Sequence, residues 1–364
     1  MNRNQKFLFL EAIAILLVVG GHTGVEAFCL LPSYSYHMML FFFISGYFYK
    51  DRTLIGFLRH KSYHLLLPLL LWNIFYAILV QILRSWGLIG FGGDISFHNL
   101  FIEPFVFGHQ YIFNLATWFV GALFFVQLAY LLLMKLFTEQ RRFFLLGVLL
   151  LLALLSEYVG MQYELRPLIE MWHGGLLILL RTGYHLLFYH VGHLYRLYEE
   201  KDEFSLYHIL GSSVVAGSIF YLTGGQTGVE VLGMRFHTRV LIFPIISALA
   251  GIYLWVQIAN VAQSYMEKCH VLQKIGSSTF FIMTHHLFFV WIVNLVLYGI
   301  FREFPALVPG FDVNKFLTDI YYHYPDMNMI YFLSGILGTL FVVFIYERIS
   351  CMAKGYLSSF GLKE

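Results

Sequence analysis

Long apolar segments recur along this chain, and they restrict its fold more than any other feature. A helix needs about 20 apolar residues to cross the hydrocarbon layer of a membrane. Inside that layer the backbone must satisfy its own hydrogen bonds, so chains cross as helices or as closed barrels. Ten segments are candidate spans: residues 7–30, 36–50, 65–86, 116–137, 143–158, 176–197, 206–222, 240–262, 277–300 and 328–350. We therefore predict an all-α fold, a polytopic membrane helical bundle of about ten transmembrane helices in a single domain, residues 1–364.

The composition excludes several classes of protein. The chain is 59% hydrophobic and only 12% charged, whereas a soluble domain has roughly 25% charged residues. The net charge of +2 is too small and too evenly spread for nucleic-acid binding. The cysteines Cys29, Cys269 and Cys351 are widely spaced, which excludes a disulfide framework and a CxxC metal site. We expect membrane lipids, and no nucleic acid, among its partners.

The distribution of Lys and Arg predicts the orientation in the membrane, because positive residues are retained on the cytoplasmic side. With the N-terminus inside, the inner segments hold sixteen of these residues and the outer segments seven. We therefore predict a multi-pass protein of the cell (inner or plasma) membrane with both termini in the cytoplasm. Three long connections, residues 87–115, 159–175 and 301–327, then fall on the outer face. They are rich in Gly, His and aromatic residues, which is more typical of lids over a site than of linkers.

The first apolar segment carries ionisable residues at membrane depth, where they are costly and usually functional. Glu11, His22 and Glu26 recur at helical spacing and so lie roughly along one face of a helix. Glu26 lies one turn beyond His22 and could accept a hydrogen bond from one imidazole nitrogen, leaving the other as a general base. The alternative is a structural histidine that bonds a carbonyl of a neighbouring helix.

The second segment begins with His37, which could point back toward His22 across the hairpin. Two histidines are fewer than the three or four ligands of a usual metal site, so we predict no metal. Later in this segment, Ser45 and Gly46 are small enough to let another helix approach closely. For Ser45, packing is the preferred interpretation.

Basic residues cluster before the third span. Arg52, Arg59, Lys61 and His64 lie at the predicted cytoplasmic boundary, with His60, Lys61 and His64 close together on a helix. Topology and anionic lipid headgroups are one explanation. A phosphate-bearing donor from the cytosol is the other.

Further polar residues in apolar helices indicate a polar cavity inside the bundle. Arg181 and His185 lie within reach of one face of the sixth span, and His285 and His286 are adjacent in the ninth. Such groups face the interior of a bundle rather than lipid. Composition alone would suit a transporter for a glycan or lipid equally well, although the paired, interrupted helices of many transporters are not evident. A non-catalytic membrane component of a polysaccharide assembly complex is a further alternative.

Several stretches together resemble the integral-membrane family called acyltransferase type three, whose members O-acylate sugars and polysaccharides. These stretches are AIAILLVVGGHT at 12–23, HMMLFFFISGYFY at 37–49, HLLLPLLLW at 64–72, TWFVGALFFVQL at 117–128, YHVGHLYR at 189–196 and IGSSTFFIMTHHLF at 275–288. The resemblance covers almost the whole length. It departs from the family at Glu11 and His64, where family members usually have a basic residue and an arginine respectively.

The resemblance implies a function and a site. It implies a bundle of ten helices, an acyl-CoA donor that enters from the cytoplasm without being a tightly bound cofactor, and His22 as the catalytic base. We therefore expect an O-acetyltransferase that moves an acetyl group from acetyl-CoA to a hydroxyl of a cell-surface polysaccharide or its lipid-linked precursor. The expected catalytic residues are His22, Glu26 and His37, and the expected donor-binding residues are Arg52, Arg59, Lys61 and His64.

Overall fold

One helix lies at the centre of the protein and is surrounded by others. The computed structural model describes residues 4–26, 31–137, 141–162 and 174–359. Helix α1 (Gln5–Thr23) begins where the Asn4 side chain accepts a hydrogen bond from the Lys6 N–H at 3.1 Å. It ends at Gly24, whose φ of 69° is in the left-handed region that glycine tolerates. Most of its side chains are buried, so other helices cover it on nearly every side.

The remaining helices follow in chain order, with a small β-hairpin between α10 and α11. They are α2 (His37–Tyr47), α3 (Leu54–Lys61), α4 (Leu67–Ser85), α5 (Phe97–Phe101), α6 (Glu103–Val106), α7 (Trp118–Leu136), α8 (Arg142–Gln162), α9 (Gly175–Tyr198), α10 (Leu206–Leu222), α11 (Phe243–Met266), α12 (His270–Ser277), α13 (Thr279–Glu303), α14 (Val313–Thr318) and α15 (Asn328–Ser359). The hairpin pairs β1 (Val229–Glu230) with β2 (Arg235–Phe236) in antiparallel register.

The all-α prediction is confirmed, and each of the ten predicted segments contains a helix. Among the described residues, seven helices are long and apolar enough to cross a membrane, counting Leu54–Ser85 as one. Helices α2 and α10 are apolar but shorter. A short π-helical stretch, Ser62–Leu66, joins α3 to α4, and such π segments often occur near functional sites.

The two ends of the bundle differ. We call the end at which α1 begins the N-terminal face, and the end at which α1 finishes the lid face. On the lid face, three segments cover the helices: the segment that contains α5 and α6, the β-hairpin, and residues 304–327. We call these three segments the lids. Part of the predicted connection 159–175 lies outside the described residues.

A single arginine ties two of these lids together. Arg181 of α9 is 1% exposed, and its guanidinium donates hydrogen bonds to the backbone carbonyls of Val106 and Leu232. Val106 belongs to the segment of α6, and Leu232 belongs to the turn of the β-hairpin. The guanidinium also lies 5.1 Å from the ring of Trp118. Arg181 therefore fixes both lids against the core of the bundle.

The third lid is held by a separate polar group. Asn294 of α13 donates to the carbonyl of Tyr322 at 2.7 Å and accepts from the hydroxyl of Tyr331 at 2.5 Å. The Tyr331 hydroxyl in turn accepts from the backbone N–H of Tyr324 at 2.8 Å. Because these bonds are buried or partly buried, they fix residues 322–324 over the end of α1 rather than leave them free.

Helices α2 and α9 touch backbone to backbone, as the small residues of α2 predicted. A Cβ on Gly46 would meet the carbonyl oxygen of Tyr189, and a Cβ on Gly192 would meet the carbonyl oxygen of Phe43. Neither contact can be relieved by turning a side chain, because both neighbours are backbone atoms. The crossing therefore requires glycine in both helices.

We expect Gly192→Ala to lower the melting temperature of the purified protein by several degrees. The added methyl group forces α2 and α9 apart, and overpacking of this kind typically costs about 1–3 kcal/mol. Thermal unfolding in detergent, followed by size-exclusion chromatography, measures the shift. The matched control is Gly217→Ala in α10, where a Cβ would meet open space. Equal melting of the two variants would contradict the close contact.

Candidate active site

A cavity of about 370 Å³ lies on the lid face at the end of α1. We call it the lid cavity. Residues from α1, α2, the start of α7, α13 and the lids line it. Its lining includes His22, Tyr34, His37, His109, Trp118, Glu230, Leu232 and Tyr321, with Val18, Met38, Phe41 and Met283 as apolar contacts.

His22 is bonded to a second histidine from a distant helix. Its Nδ1 lies 2.7 Å from Nε2 of His286 in α13, and Nδ1 of His286 lies 2.8 Å from the backbone carbonyl of Ile282. A carbonyl only accepts, so with both rings neutral His286 carries its proton on Nδ1 and has a lone pair on Nε2. His22 then donates its Nδ1–H to that lone pair. Nε2 of His22 is left unprotonated, which is the form a general base requires.

The Nδ1 partner of His22 is therefore His286, whereas the sequence had suggested Glu26 as the residue that orients it. Glu26 is exposed and follows the end of α1. His286 is 0% exposed. In the sequence, the adjacent histidines His285 and His286 of the ninth span indicated a polar interior, but they did not indicate the bond between His286 and His22. The role of Glu26 stays a prediction.

His37 lies in the same cavity as His22, as the hairpin suggested. Its Nδ1 is 2.6 Å from the backbone carbonyl of Ser33, so the proton again resides on Nδ1 and Nε2 is an acceptor. The ring of Tyr34 meets it edge-on at 5.1 Å between centroids. The lid cavity therefore contains two imidazoles whose tautomers are both set by their hydrogen bonds.

The lids add polar and aromatic groups that sequence reasoning did not single out. Tyr321 packs edge-on against His22, with ring centroids 6.1 Å apart. Burial raises the pKa of the Tyr321 phenol above its ordinary value, so its hydroxyl stays protonated as a hydrogen-bond donor. Burial also lowers the pKa of His109, which favours its neutral form. Glu230 contributes a carboxylate from the β-hairpin.

Two further cavities continue from the lid cavity toward the N-terminal face. The next, of about 190 Å³, shares Phe41 and Met283 with the lid cavity and is mostly apolar; we call it the middle cavity. The last, of about 300 Å³, shares Glu11, Ile44 and Ser45 with the middle cavity. The three cavities therefore form a series that runs beside α1 from one face of the bundle to the other.

The last cavity is lined by cations, and we call it the basic cavity. Lys50, Arg52 and Lys61 line it together with His60. Two of the four donor-binding residues predicted from the sequence, Arg52 and Lys61, are therefore at this cavity. Arg59 is exposed and does not line it.

His64, the fourth predicted donor-binding residue, is exposed and belongs to the π segment. It packs against His60 at 4.6 Å between ring centroids without lining the basic cavity. Ser45, assigned to packing by the sequence, lines both the basic and the middle cavity. In the described part of the chain, no group of three or more His, Cys, Asp or Glu side chains is arranged to hold a metal ion.

Comparison with known proteins identifies the family. No curated protein and no solved structure matches the chain. A family model described as an acyltransferase domain matches residues 7–348, which include all three cavities and the pair formed by His22 and His286. Because this match covers nearly the whole sequence and the structure is a helical bundle with membrane-length helices, the chain belongs to the acyltransferase-3 family and is a multi-pass membrane acyltransferase.

Proposed function

We propose that this protein transfers an acetyl group from acetyl-CoA to a hydroxyl of a cell-surface polysaccharide or of its lipid-linked precursor. One observation carries the proposal. The imidazole of His22, held by His286 with Nε2 unprotonated, lies in the first of three cavities that share wall residues in series, and the last of them is lined by cations on the opposite face. The proposal therefore puts a general base and a phosphate-binding surface at the two ends of this series of cavities, which we call the passage.

The donor would enter at the basic cavity. Lys50, Arg52 and Lys61 suit the phosphates of CoA, because ionised donors bond phosphate oxygens strongly. The middle cavity, largely apolar, would hold the pantetheine arm. Glu11 and His22 are about 16 Å apart along α1, at 1.5 Å per residue, so an extended arm can carry the thioester toward the lid cavity. The positive-inside distribution supports the N-terminal face as the cytoplasmic one.

In the lid cavity the chemistry is an acyl transfer. Nε2 of His22 removes the proton from an acceptor hydroxyl as its oxygen attacks the thioester carbonyl carbon. His286 accepts the Nδ1–H of His22 and so favours the imidazolium that forms. Collapse of the tetrahedral intermediate breaks the bond from carbon to sulfur, and His22 returns the proton to the CoA sulfur. The ester and free CoA are the products.

The acceptor would bind among the lids. His37 Nε2 and the Glu230 carboxylate can accept hydrogen bonds from sugar hydroxyls, and the hydroxyl of Tyr321 can donate one. Trp118 and Tyr34 supply aromatic surface on the cavity wall. Since these groups sit at the face opposite the basic cavity, donor and acceptor would approach His22 from opposite ends of the passage.

The experiment is an assay of acetyl-CoA turnover by the purified protein in nanodiscs. The acceptor is surface glycan extracted from cells that lack the gene. The release of free CoA thiol and the mass of the glycan are measured. The proposal predicts glycan-dependent thiol release and a mass increase of one acetyl group. Absence of both, with glycan carried across vesicles that contain the protein, would overturn it in favour of transport.

We expect Lys61→Gln to raise the KM for acetyl-CoA about tenfold with little change in kcat, because a hydrogen bond to a charged group contributes roughly 1.5–3 kcal/mol. Steady-state kinetics at varied acetyl-CoA measures it. Arg59→Gln is the matched control, since Arg59 carries the same charge on the same helix outside the cavity. An equal rise in both variants would mean that general surface charge, rather than the basic cavity, attracts the donor.

A further inference from the structure

Helix α7 passes all three cavities in turn, so its side chains mark depth along the passage. Trp118 lines the lid cavity, Phe119, Val120 and Leu123 line the middle cavity, and Gln127 lines the basic cavity. Leu123 and Gln127 are separated by about 6 Å along the axis, at 1.5 Å per residue. Gln127 therefore lines the basic cavity one helical turn from the wall of the middle one.

The side-chain carbonyl of Gln127 is an unsatisfied hydrogen-bond acceptor among the described residues. The residue is 8% exposed, and its carbonyl oxygen Oε1 is buried with no hydrogen-bond donor among the described residues. An unsatisfied buried acceptor costs about 1–3 kcal/mol. A ligand in the cavity that offers an N–H or O–H at this depth would remove that cost.

Helix α7 is held in place close to Gln127 by hydrogen bonds to α9. One turn further along α7, the hydroxyl of Tyr130 lies 2.7 Å from Nδ1 of both His190 and His193 in α9. These bonds hold α7 against α9 about one turn from Gln127. The amide of Gln127 is thus presented to the cavity by a helix that is anchored directly beside it, which is the arrangement of a preorganised binding group.

We propose that Gln127 is a specificity residue that accepts a hydrogen bond from an amide N–H of the pantetheine arm of CoA. The inference rests on the proposed use of an acyl-CoA donor. The cations that suit the phosphates line the basic cavity, and the apolar middle cavity begins one helical turn from Gln127. The part of CoA that passes this point is the arm, whose secondary amides are its only N–H donors. Gln127 thereby distinguishes a pantetheine thioester from a thioester without amides.

The test compares binding of whole CoA with binding of its adenosine bisphosphate fragment, which lacks the arm. Affinities are measured by calorimetry on the wild-type protein, Gln127→Met and Lys61→Gln, all in nanodiscs. Methionine keeps the length of the side chain but not the acceptor. We expect Gln127→Met to weaken CoA binding about tenfold and to leave the fragment unchanged, whereas Lys61→Gln weakens both.

Two results would overturn the inference. If Gln127→Met weakens the fragment as much as CoA, the residue acts on the nucleotide or on the fold. If CoA binding is unchanged, the amide is not used. Failure of the wild-type protein to bind CoA at all would instead overturn the proposed function and this inference with it, so the two failures are distinguishable. The melting temperature of Gln127→Met confirms that each comparison concerns folded protein.

Discussion

Replacing His22 by glutamine is expected to reduce the rate of acyl transfer by about 10³-fold, within the 10²–10⁴ range that a positioned general base contributes. Glutamine can still donate a hydrogen bond to Nε2 of His286, so the local packing is retained while the base is lost. Because His22 lies at the far end of the passage from the basic cavity, the KM for acetyl-CoA should change little.

The measurement is kcat and KM for acetyl-CoA in the nanodisc assay, with the amount of folded protein determined by size-exclusion chromatography. His270→Gln is a suitable control, since His270 is exposed at the start of α12 and lies outside the lining of the three cavities. If His22→Gln keeps wild-type turnover, His22 is not the base, and His37 becomes the candidate in the same cavity.

The second large effect is expected at His286. His286→Leu should lower kcat about 10²-fold with little change in either KM, because His22 loses the acceptor that fixes its tautomer and orientation. His286→Gln should recover much of the loss, since its carbonyl oxygen can again accept the Nδ1–H of His22. The informative measurement is the ratio of kcat between His286→Gln and His286→Leu.

A merely structural role for His286 gives a different pattern. In that case the leucine variant, which fills the buried space with apolar atoms, would be as active as the glutamine variant or more so. Equal kcat values for His286→Leu and His286→Gln would therefore remove His286 from the positioning of the base. Their melting temperatures show whether either value reflects loss of folded protein.

The helices could be predicted from the sequence because the membrane imposes a simple rule. A long apolar segment must form a helix, and each of the ten predicted segments contains one. The lengths of α1 and α2 did not follow from that rule. The predicted segment 7–30 extends beyond α1, which ends at Thr23, one residue after His22. The apolar run 36–50 forms a helix only from His37 to Tyr47, since the residues after it turn toward α3.

The partner of His22 could not be predicted, because it lies 264 residues away in the sequence. Helical periodicity relates residues on one helix and so pointed to Glu26, one turn along. Nothing in that periodicity indicates which helix packs opposite. The bond to His286 depends on α13 packing against α1, which is a property of the assembled bundle.

The basic cluster shows a similar limit. Charge and position identified Arg52, Arg59, Lys61 and His64 together, but only Arg52 and Lys61 line the cavity. A short amphipathic helix such as α3 presents neighbouring residues to different sides. The π-helical segment after it then shifts the direction in which the following side chains point around the helix axis. Composition gives the charge at the boundary, whereas the rotation of the helix decides which charges face inward.

The tie made by Arg181 has a consequence for how such an enzyme can change over evolution. Its guanidinium bonds backbone carbonyls in both lids rather than side chains. Since every residue has such a carbonyl, substitutions at positions 106 and 232 leave the acceptor atoms in place. Substitutions in the lids can therefore change the groups that face the cavity while its entrance keeps its shape, so that a new acceptor can be acquired without rebuilding the scaffold.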